Sequence, residues 1–383
     1  MLPLLCTSAF LVFVQAFMVA PLIPRLADVF HTNVGWFGLA VPAYLLPYGI
    51  ATLAWGPLSD RFGRRAVILV SMMLFIVLTG ATASASGVTA FIVWRAATGA
   101  GASGIVPIGL TLIGDVVPFQ KRGRAIGWLF GAIAGGTAAG ATLGALMEPF
   151  VGWQRLFLAV AALTAVLTIT AVAGGALPTL PRPAAPAWSA IVRGYTALLS
   201  FPRGRRTYAY VLINAVVQSG VYTWLGLYLR QRFGLGEVGI GLALLGYGIP
   251  GLLFGPVIGR MADRYGRARI IPAGVALTGV CAMLLAAPLS LLAVQAAIVT
   301  LSLGFDLTQP LLAGIVTDLR GGRAQATGLM AFALFSGFGL GSLLFQIALR
   351  QGFAAALILF GVTTMIAAAV AVPMFRNEQP RLA

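Results

Sequence analysis

Two charged side chains stand inside long apolar stretches of the 383-residue sequence, Arg95 and Asp306. A charge at the centre of a bilayer costs about 2.5–3.5 kcal/mol or more, so such residues normally face the protein interior and serve a function. An aspartate can bind and release a proton, whereas an arginine stays protonated and can only bind or modulate. We therefore predict proton or substrate coupling for both. The alternatives are a structural bond from Asp306 to Thr308, Gln309 or the backbone, and hydrogen bonds from Arg95 between helices.

The composition places these two charges in a membrane protein. Hydrophobic residues make up 60% of the chain and charged residues only 9%, whereas a soluble domain has about 25% charged residues. The stretch 66–94 contains no charged residue at all. Cys6 and Cys281 both lie in apolar stretches and His31 is the single histidine, so we expect no disulfide, metal site or cofactor. This composition excludes a soluble enzyme, a disordered chain and a secreted disulfide scaffold.

A helix that crosses a bilayer needs about 20 mostly apolar residues, and the sequence contains twelve such segments, here called spans 1 to 12. The break 177–206 is the longest, and its prolines and arginines predict a linker with a short helix near 188–199. The sequence thus predicts an all-α integral membrane protein with two six-helix bundles, 1–176 and 207–383. The predicted spans are 4–23, 36–56, 66–86, 90–114, 124–147, 153–176, 207–229, 236–259, 270–288, 291–314, 324–346 and 353–375.

The basic residues predict the orientation of the spans. The connections after even-numbered spans and the C-terminal tail carry 19 of the 25 Lys and Arg residues, five lie in the other connections, and Arg95 lies within span 4. Lys and Arg collect in cytoplasmic loops, so we expect both termini and the linker in the cytoplasm and the protein in the inner membrane. The net charge of +16 then reflects topology, and no nucleic-acid partner is expected.

The two halves of the chain are related by a shift of 203 residues. Gln15 then falls on Gln218 and Asp115 on Asp318, and a loop between spans 2 and 3 recurs between spans 8 and 9. Two like halves of six helices suit a site between them that opens to either side when one half rocks on the other. The duplication therefore favours alternating access over a pore.

The repeated loop resembles the signature loop of the major facilitator superfamily. The resemblance covers the whole chain and implies a transporter, not an enzyme, that works as a monomer in the lipid bilayer. Segments 20–28, 95–101 and 152–157 resemble the twelve-helix drug:proton antiporters within that superfamily. The first copy of the loop reads Gly56-Pro-Leu-Ser-Asp60-Arg61-Phe-Gly63-Arg64-Arg65.

In the resembled family, this loop implies a gate at the cytoplasmic ends of the helices. A carboxylate can pair with arginines and with the positive N-terminus of a helix in the other half. We expect Asp60 to meet the start of span 11, and Asp263 the start of span 5. The contact would be broken in one state and favour the outward-open form; the alternative is a static, solvated charge cluster. The predicted gate comprises Gly56, Asp60, Arg61, Gly63, Arg64, Arg124, Asp263, Arg264, Gly266, Arg267 and Arg323.

Polar and small residues complete the predicted site. The first helix of each half lines the central cavity in the resembled fold, which makes four polar residues candidates for substrate contact; hydrogen bonds within each half are the alternative. Glycines four apart on span 5 predict close helix packing, although Gly140-Ala-Thr-Leu-Gly144-Ala lacks the proline and last glycine found in many exporters. The substrate candidates are Gln15, Asn214, Gln218 and Tyr222, and the packing glycines are Gly136, Gly140 and Gly144.

These observations predict a proton-coupled exporter of a small amphipathic molecule, a drug or a metabolite. The altered motif on span 5 leaves proton-coupled uptake or facilitated diffusion by the same fold as the alternative. A polytopic membrane enzyme or receptor is disfavoured, because the chain has one histidine and no apparent catalytic constellation or soluble domain.

Overall fold

The computed structural model describes residues 1–180, 188–251, 257–258, 261, 264–319 and 323–378, and these residues form helices and connecting turns without any strand. Ten helices are long and apolar enough to span a membrane, and a bent pair at the N-terminus makes an eleventh. These eleven coincide with predicted spans 1–7 and 9–12, while span 8 lies partly outside the described residues.

The helical bounds follow the predicted spans closely, with span 1 bent by 43° between its two helices. Spans 2 and 4 each contain two successive helices, and a linker helix precedes span 7. In chain order the helices are Leu2–Phe17 and Val19–Val29 (span 1), Val34–Gly38 and Ala40–Phe62 (span 2), Arg64–Ala83 (span 3), Val88–Ala102 and Ile105–Val116 (span 4), Phe119–Val151 (span 5), Trp153–Ala173 (span 6), Trp188–Ser200 (linker helix), Pro202–Phe233 (span 7), Glu237–Ala243 (span 8, first part), Arg267–Ala286 (span 9), Leu291–Thr317 (span 10), Arg323–Ala348 (span 11) and Phe353–Phe375 (span 12).

Close glycine contacts hold span 5 against span 1. A Cβ atom on Gly136 would lie 2.5 Å from the carbonyl oxygen of Phe10, and one on Gly140 would lie 2.5 Å from that of Val14. The duplicated half repeats the arrangement, because Gly337 of span 11 packs against span 7 in the same manner. The absence of side chains at these positions lets the helix backbones approach closely.

The first residues of the chain and Glu378, the last residue that the structure describes, lie at one end of the helix bundle, here called the terminal face. Leu2 shares a groove with Arg124, and the carboxylate of Glu378 accepts hydrogen bonds of 2.7 and 2.8 Å from Arg203. The linker helix lies at the same face, where Gly194 packs against Gln325 of span 11. The termini and the linker are therefore close to the loops between spans 2 and 3 and between spans 4 and 5.

The two halves contact each other at the other end of the bundle, here called the opposite face. Arg230 of span 7 forms an ion pair of 2.8 Å with Asp28 of span 1. Gln346 of span 11 donates a 2.7 Å hydrogen bond to the carbonyl of Gly35 in span 2. These contacts join residues of the first half to residues of the second half, so the halves are held together at the opposite face.

Candidate functional site

Asp306 lies near the middle of span 10 and faces span 8. Its carboxylate accepts a hydrogen bond from the Ser302 hydroxyl, with 3.4 Å between the oxygens, and the backbone of Gly251 lies directly against it. The residue is partly buried, and the described residues place no arginine or lysine in an ion pair with it. Asp306 is therefore an acidic group inside the bundle that is held by neutral donors.

The polar stripe of span 7 lies beside this carboxylate. The Gln218 amide donates a 2.5 Å hydrogen bond to the hydroxyl of Tyr247 in span 8, and the Tyr247 ring stacks on Tyr222 with 4.1 Å between centroids. The Tyr247 hydroxyl lies within electrostatic range of the Asp306 carboxylate. Asn214 sits one turn further along and donates a 2.5 Å hydrogen bond to the Thr308 hydroxyl. Of the four predicted substrate residues, Asn214 thus contacts the span 10 segment that carries Asp306, and Gln218 and Tyr222 contact Tyr247 of span 8.

Several polar atoms of this stripe are buried without a partner. Asn214 Oδ1, Gln218 Oε1 and the hydroxyl of Tyr222 have no hydrogen-bond partner within the described structure, although all three residues are at most 3% exposed. A buried polar group without a partner costs about 1–3 kcal/mol, and most such groups are satisfied by protein or water. These atoms can therefore bind water or a polar group of a substrate.

Arg95 lies in the first half and is fully buried. Its guanidinium donates four hydrogen bonds of 3.0–3.2 Å, to the carbonyls of Gln15, Ala16 and Ala40 and to the side-chain oxygen of Gln15. Its charge also lies 4.4 Å from the centre of the Tyr44 ring. Arg95 thus connects spans 1, 2 and 4, and its hydrogen-bonding capacity is used by oxygens of its own half.

The structure therefore separates the residues that the sequence grouped together. Gln15 lies with Arg95 in the first half, while Gln218 and Tyr222 lie with Asp306 in the second half. The Nε2 atom of Gln15 remains without a partner. Sequence reasoning missed Tyr44 as the partner of Arg95. A signal was present, because the 203-residue shift that relates the halves makes Tyr44 equivalent to Tyr247, the tyrosine of the cluster in the second half.

An aromatic layer joins the two clusters across the interface between the halves. Phe13 of span 1 contacts Phe335 of span 11 with 5.9 Å between centroids, and Tyr48 of span 2 contacts the same ring at 4.2 Å. Phe17 contacts Tyr222 at 6.0 Å and Phe338 at 6.1 Å. The polar stripe of span 7 is therefore bordered by apolar rings that belong to both halves.

The predicted gate residues form ion pairs within each half. Arg64 pairs with Asp60 and, at 3.3 Å, with Asp115. The equivalent pair in the second half, Arg267 with Asp318, has a distance of 2.8 Å. The same arginine-to-aspartate contact thus occurs 203 residues apart, and the sequence analysis had not predicted this pairing.

The contacts predicted between the halves lie outside the described residues, because these do not include Asp263 or the side chain of Arg323. Asp60 lies instead beside Tyr195 of the linker helix, and burial together with the charge of Asp60 raises the pKa of Tyr195. Both residues line a cavity of about 50 Å³ with Gln325 of span 11. The start of span 11 is therefore near Asp60, with the linker helix at the same place.

The remaining gate residues have simpler environments. Gly63 and Gly266 adopt positive φ angles of 94° and 80°, a conformation that glycine tolerates best, at the turns before spans 3 and 9. The side chains of Arg61, Arg124 and Arg264 are exposed at the terminal face. A side chain on Gly56 would contact nothing within 4 Å.

Comparison with known proteins agrees with this architecture. The family model of the Major Facilitator Superfamily matches residues 5–319 and 231–383. The MFS-type transporter YceJ of Bacillus subtilis (strain 168) is 29% identical over 276 residues, which cover 70% of this chain and 68% of that protein. The MFS antiporter QDR3 of Candida albicans is 35% identical over 135 residues, covering 35% of this chain and 19% of that protein.

A solved structure shares the fold over the whole chain. It is a bacterial homologue of the human lysosomal transporter Spinster in an inward-facing and unoccupied conformation, and it covers 100% of this chain and 98% of its own with a TM-score of 0.78 at 14% identity. The helical architecture, the duplicated loop and the family match lead to one assignment. The chain belongs to the Major Facilitator Superfamily of transporters.

Proposed function

We propose that this transporter is a proton-coupled exporter of small amphipathic molecules and that Asp306 carries the proton. The observation behind the proposal is the position of Asp306, an acidic group within span 10 that accepts a hydrogen bond from a neutral donor, the Ser302 hydroxyl. A carboxylate in this environment can bind a proton from one side of the membrane and release it to the other when the halves rock. The unpartnered atoms of Gln218 and Tyr222 next to it are the proposed substrate contacts.

Arg95 has a structural role in this proposal. Its four hydrogen bonds to oxygens of spans 1 and 2 leave it tied to its own half. An arginine does not release its proton under physiological conditions. We assign Arg95 to holding the first half together as a rigid body, and Asp306 to the chemistry of coupling.

The proposed orientation of the protein in the inner membrane follows from the distribution of its basic residues. The terminal face lies in the cytoplasm. The contacts between Asp28 and Arg230 and between Gln346 and Gly35 then close the outer side. Export requires these contacts to break when the substrate is released outside. We propose that a single chain in the bilayer performs this cycle, with a small molecule and protons as its ligands and no catalytic reaction.

Export is favoured over uptake by the partial similarity to the MFS antiporters QDR3 and QDR2 of Candida albicans, which cover 35% and 36% of this chain. Uptake or facilitated diffusion remains the second candidate, because span 5 lacks the proline and last glycine of the exporter motif. The two candidates use the same site and differ in the direction of net flow.

Transport in membrane vesicles of both orientations distinguishes these functions. A labelled compound identified by a thermal-shift screen of the purified protein would be supplied to inside-out and right-side-out vesicles under an imposed pH gradient. We expect accumulation in inside-out vesicles when their lumen is acidic, and no accumulation without the gradient. Accumulation in right-side-out vesicles driven by an inward proton gradient would contradict export.

A further inference from the structure

The two halves differ in how span 4 and its equivalent, span 10, pack on their neighbours. In the first half, Gly99 of span 4 lies directly against the carbonyl of Tyr44 in span 2, so a Cβ atom there would overlap this carbonyl. The shift of 203 residues places Ser302 at the position equivalent to Gly99. Because Ser302 has a side chain, span 8 cannot approach span 10 as closely as the regular helix of span 2 approaches span 4 at Gly99.

Span 8 is broken at the corresponding place. Its helix ends at Ala243, a turn covers 244–248, and helical structure resumes at 249, whereas the equivalent part of span 2 lies within one helix, Ala40–Phe62. Gly248 has a φ of 81°, which a residue with a Cβ adopts only with strain. The break frees the N–H of Gly248, which donates a 3.2 Å hydrogen bond to the Ser302 hydroxyl.

The same break provides a place for the Asp306 carboxylate. Gly251 stands where the first half has Tyr48, and Asp306 stands where it has Ser103. A Cβ atom on Gly251 would lie 2.8–2.9 Å from the carboxylate atoms of Asp306, so only glycine leaves room for this contact. The Gly251 N–H is near enough to the Asp306 carboxylate to favour its charged form, and the Gly248 N–H is linked to the carboxylate through Ser302.

The broken segment also contacts the other half. A Cβ atom on Gly248 would lie 2.9 Å from the Cβ of Ala138 in span 5, and one on Gly241 would lie 3.1 Å from the carbonyl of Thr142 in the same span. The segment 241–251 therefore touches Asp306 on one side and span 5 of the first half on the other. Broken helices at the interface of repeats are a feature of ion and substrate sites in transporters.

We propose that the break in span 8 senses the charge of Asp306, with Ser302 and Gly251 as positioning residues. The Ser302 hydroxyl and the Gly251 N–H, both directed at the carboxylate, favour its ionised form. Protonation weakens both hydrogen bonds, releases 248–251 from span 10 and loosens the contact between spans 8 and 5. Within the described chain, Tyr247 of span 8 is the titratable group that faces Asp306. No charged side chain of this part of the protein forms an ion pair with Asp306.

This inference rests on the proposed function for its biological purpose but not for its test. Hydrogen–deuterium exchange of the purified full-length protein in lipid nanodiscs would be measured at pH 5.5 and 8.5 and expressed as protection factors for 246–251. We expect at least tenfold lower protection at pH 5.5 in the wild type. In Asp306→Asn, which keeps the shape without the charge, we expect low protection at both pH values.

Variants of the positioning residues provide the second measurement. The protonated carboxyl band of Asp306 would be isolated by infrared spectroscopy as the difference between each protein and its Asp306→Asn counterpart. Ser302→Ala removes a donor to the carboxylate, and Gly251→Ala adds a Cβ 2.8–2.9 Å from the carboxylate, which pushes the Gly251 N–H away from it. In each variant the band should therefore reach half intensity about one pH unit higher, a tenfold change in proton affinity. Thr300→Ala and Gly236→Ala are the matched controls, because the Thr300 hydroxyl donates to the Ala296 carbonyl within span 10 and a Cβ on Gly236 would contact nothing within 4 Å.

The outcomes separate this inference from the function. Protection of 246–251 that is equal at both pH values, or an unchanged titration in both Ser302→Ala and Gly251→Ala, would overturn the inference even if proton-driven export is found. A pH-dependent break together with transport that ignores the proton gradient would support the sensor and contradict the proposed function. The exchange measurement on the wild type remains decisive if Gly251→Ala fails to fold.

Discussion

Replacement of Arg95 tests whether this buried charge ties helices together or takes part in coupling. Arg95→Met removes all four hydrogen bonds to Gln15, Ala16 and Ala40. Hydrogen bonds between membrane helices contribute ~0.6 kcal/mol on average and those to a charged group ~1.5 kcal/mol at the lower end, so four of them give about 2–6 kcal/mol. The Gln15 side-chain oxygen also loses its donor, which places the expected loss in the upper part of this range.

Arg95→Lys is the informative variant because it keeps the charge. An ammonium has three donors on a flexible stem and cannot reproduce the planar fork of a guanidinium. We expect it to retain some of the contacts and to lose about 1–3 kcal/mol of the free energy of unfolding. Proton-driven transport per folded molecule should stay near the wild-type rate, because the proposed proton carrier is in the other half.

The assay combines thermal unfolding followed by circular dichroism with proton-driven transport normalised to folded protein. Arg155→Lys is the matched control, since Arg155 is exposed at the start of span 6 and its replacement should change neither quantity. An Arg95→Lys variant that unfolds like the wild type but no longer couples transport to protons would refute the structural role. It would instead support the coupling role that the sequence predicted for Arg95.

Three further predictions concern other contacts. Arg230→Gln removes the ion pair with Asp28. Because the side chains are 42% and 53% exposed, the pair contributes at most ~1 kcal/mol. The fraction of molecules that are open at the opposite face, measured between spin labels, should therefore rise by about fivefold or less, with no difference from wild type in 1 M salt. Burial raises the pKa of Glu378, but the hydrogen bond and charge of Arg203 and the nearby arginines lower it overall. The stabilisation is therefore present above the ordinary pKa and lost as the pH falls through the lowered value. Glu378→Gln should unfold at a lower temperature than wild type at pH 7, and this difference should shrink as the pH falls through the lowered pKa. Gly140→Ala places a Cβ 2.5 Å from the Val14 carbonyl and should cost about 1–3 kcal/mol of stability by overpacking, measured by thermal unfolding.

Each of these has an outcome that would contradict it. Unchanged opening in Arg230→Gln at low salt would mean that the pair does not hold the halves together. A Glu378→Gln difference that does not shrink as the pH is lowered would exclude the carboxylate charge as its cause. Gly131→Ala is the control for span 5, since a Cβ there contacts nothing within 4 Å, and equal stability of the two alanine variants would contradict close packing at Gly140.

Much of the architecture could be predicted from the sequence because bilayer physics leaves few solutions. Apolar segments of about 20 residues must be helical to satisfy their backbone, and eleven of the predicted spans coincide with described helices or helix pairs. The glycines that recur in the repeated loop, Gly63 and Gly266, have the positive φ angles that glycine tolerates best. The linker helix at Trp188–Ser200 agrees with the short helix expected near 188–199.

The partners of the charged residues could not be predicted in the same way. Three of the four acceptors of Arg95 are backbone carbonyls, and every residue type has a carbonyl, so no sequence pattern marks them. The break in span 8 was hidden because 244–248 reads as part of an apolar run, and its cause lies in Ser302, on a different span. Comparing the two halves position by position, with Ser302 on Gly99 and Asp306 on Ser103, would have pointed to it.

The central claim is that Asp306 couples proton movement to transport. Its most direct measurement is the proton flux into liposomes that contain the purified protein and an internal pH-sensitive dye, started by a gradient of the compound found in the thermal-shift screen. The account predicts compound-dependent proton flux for the wild type, and for Asp306→Asn exchange of labelled compound without proton flux. Proton flux in Asp306→Asn at the wild-type rate would contradict the account.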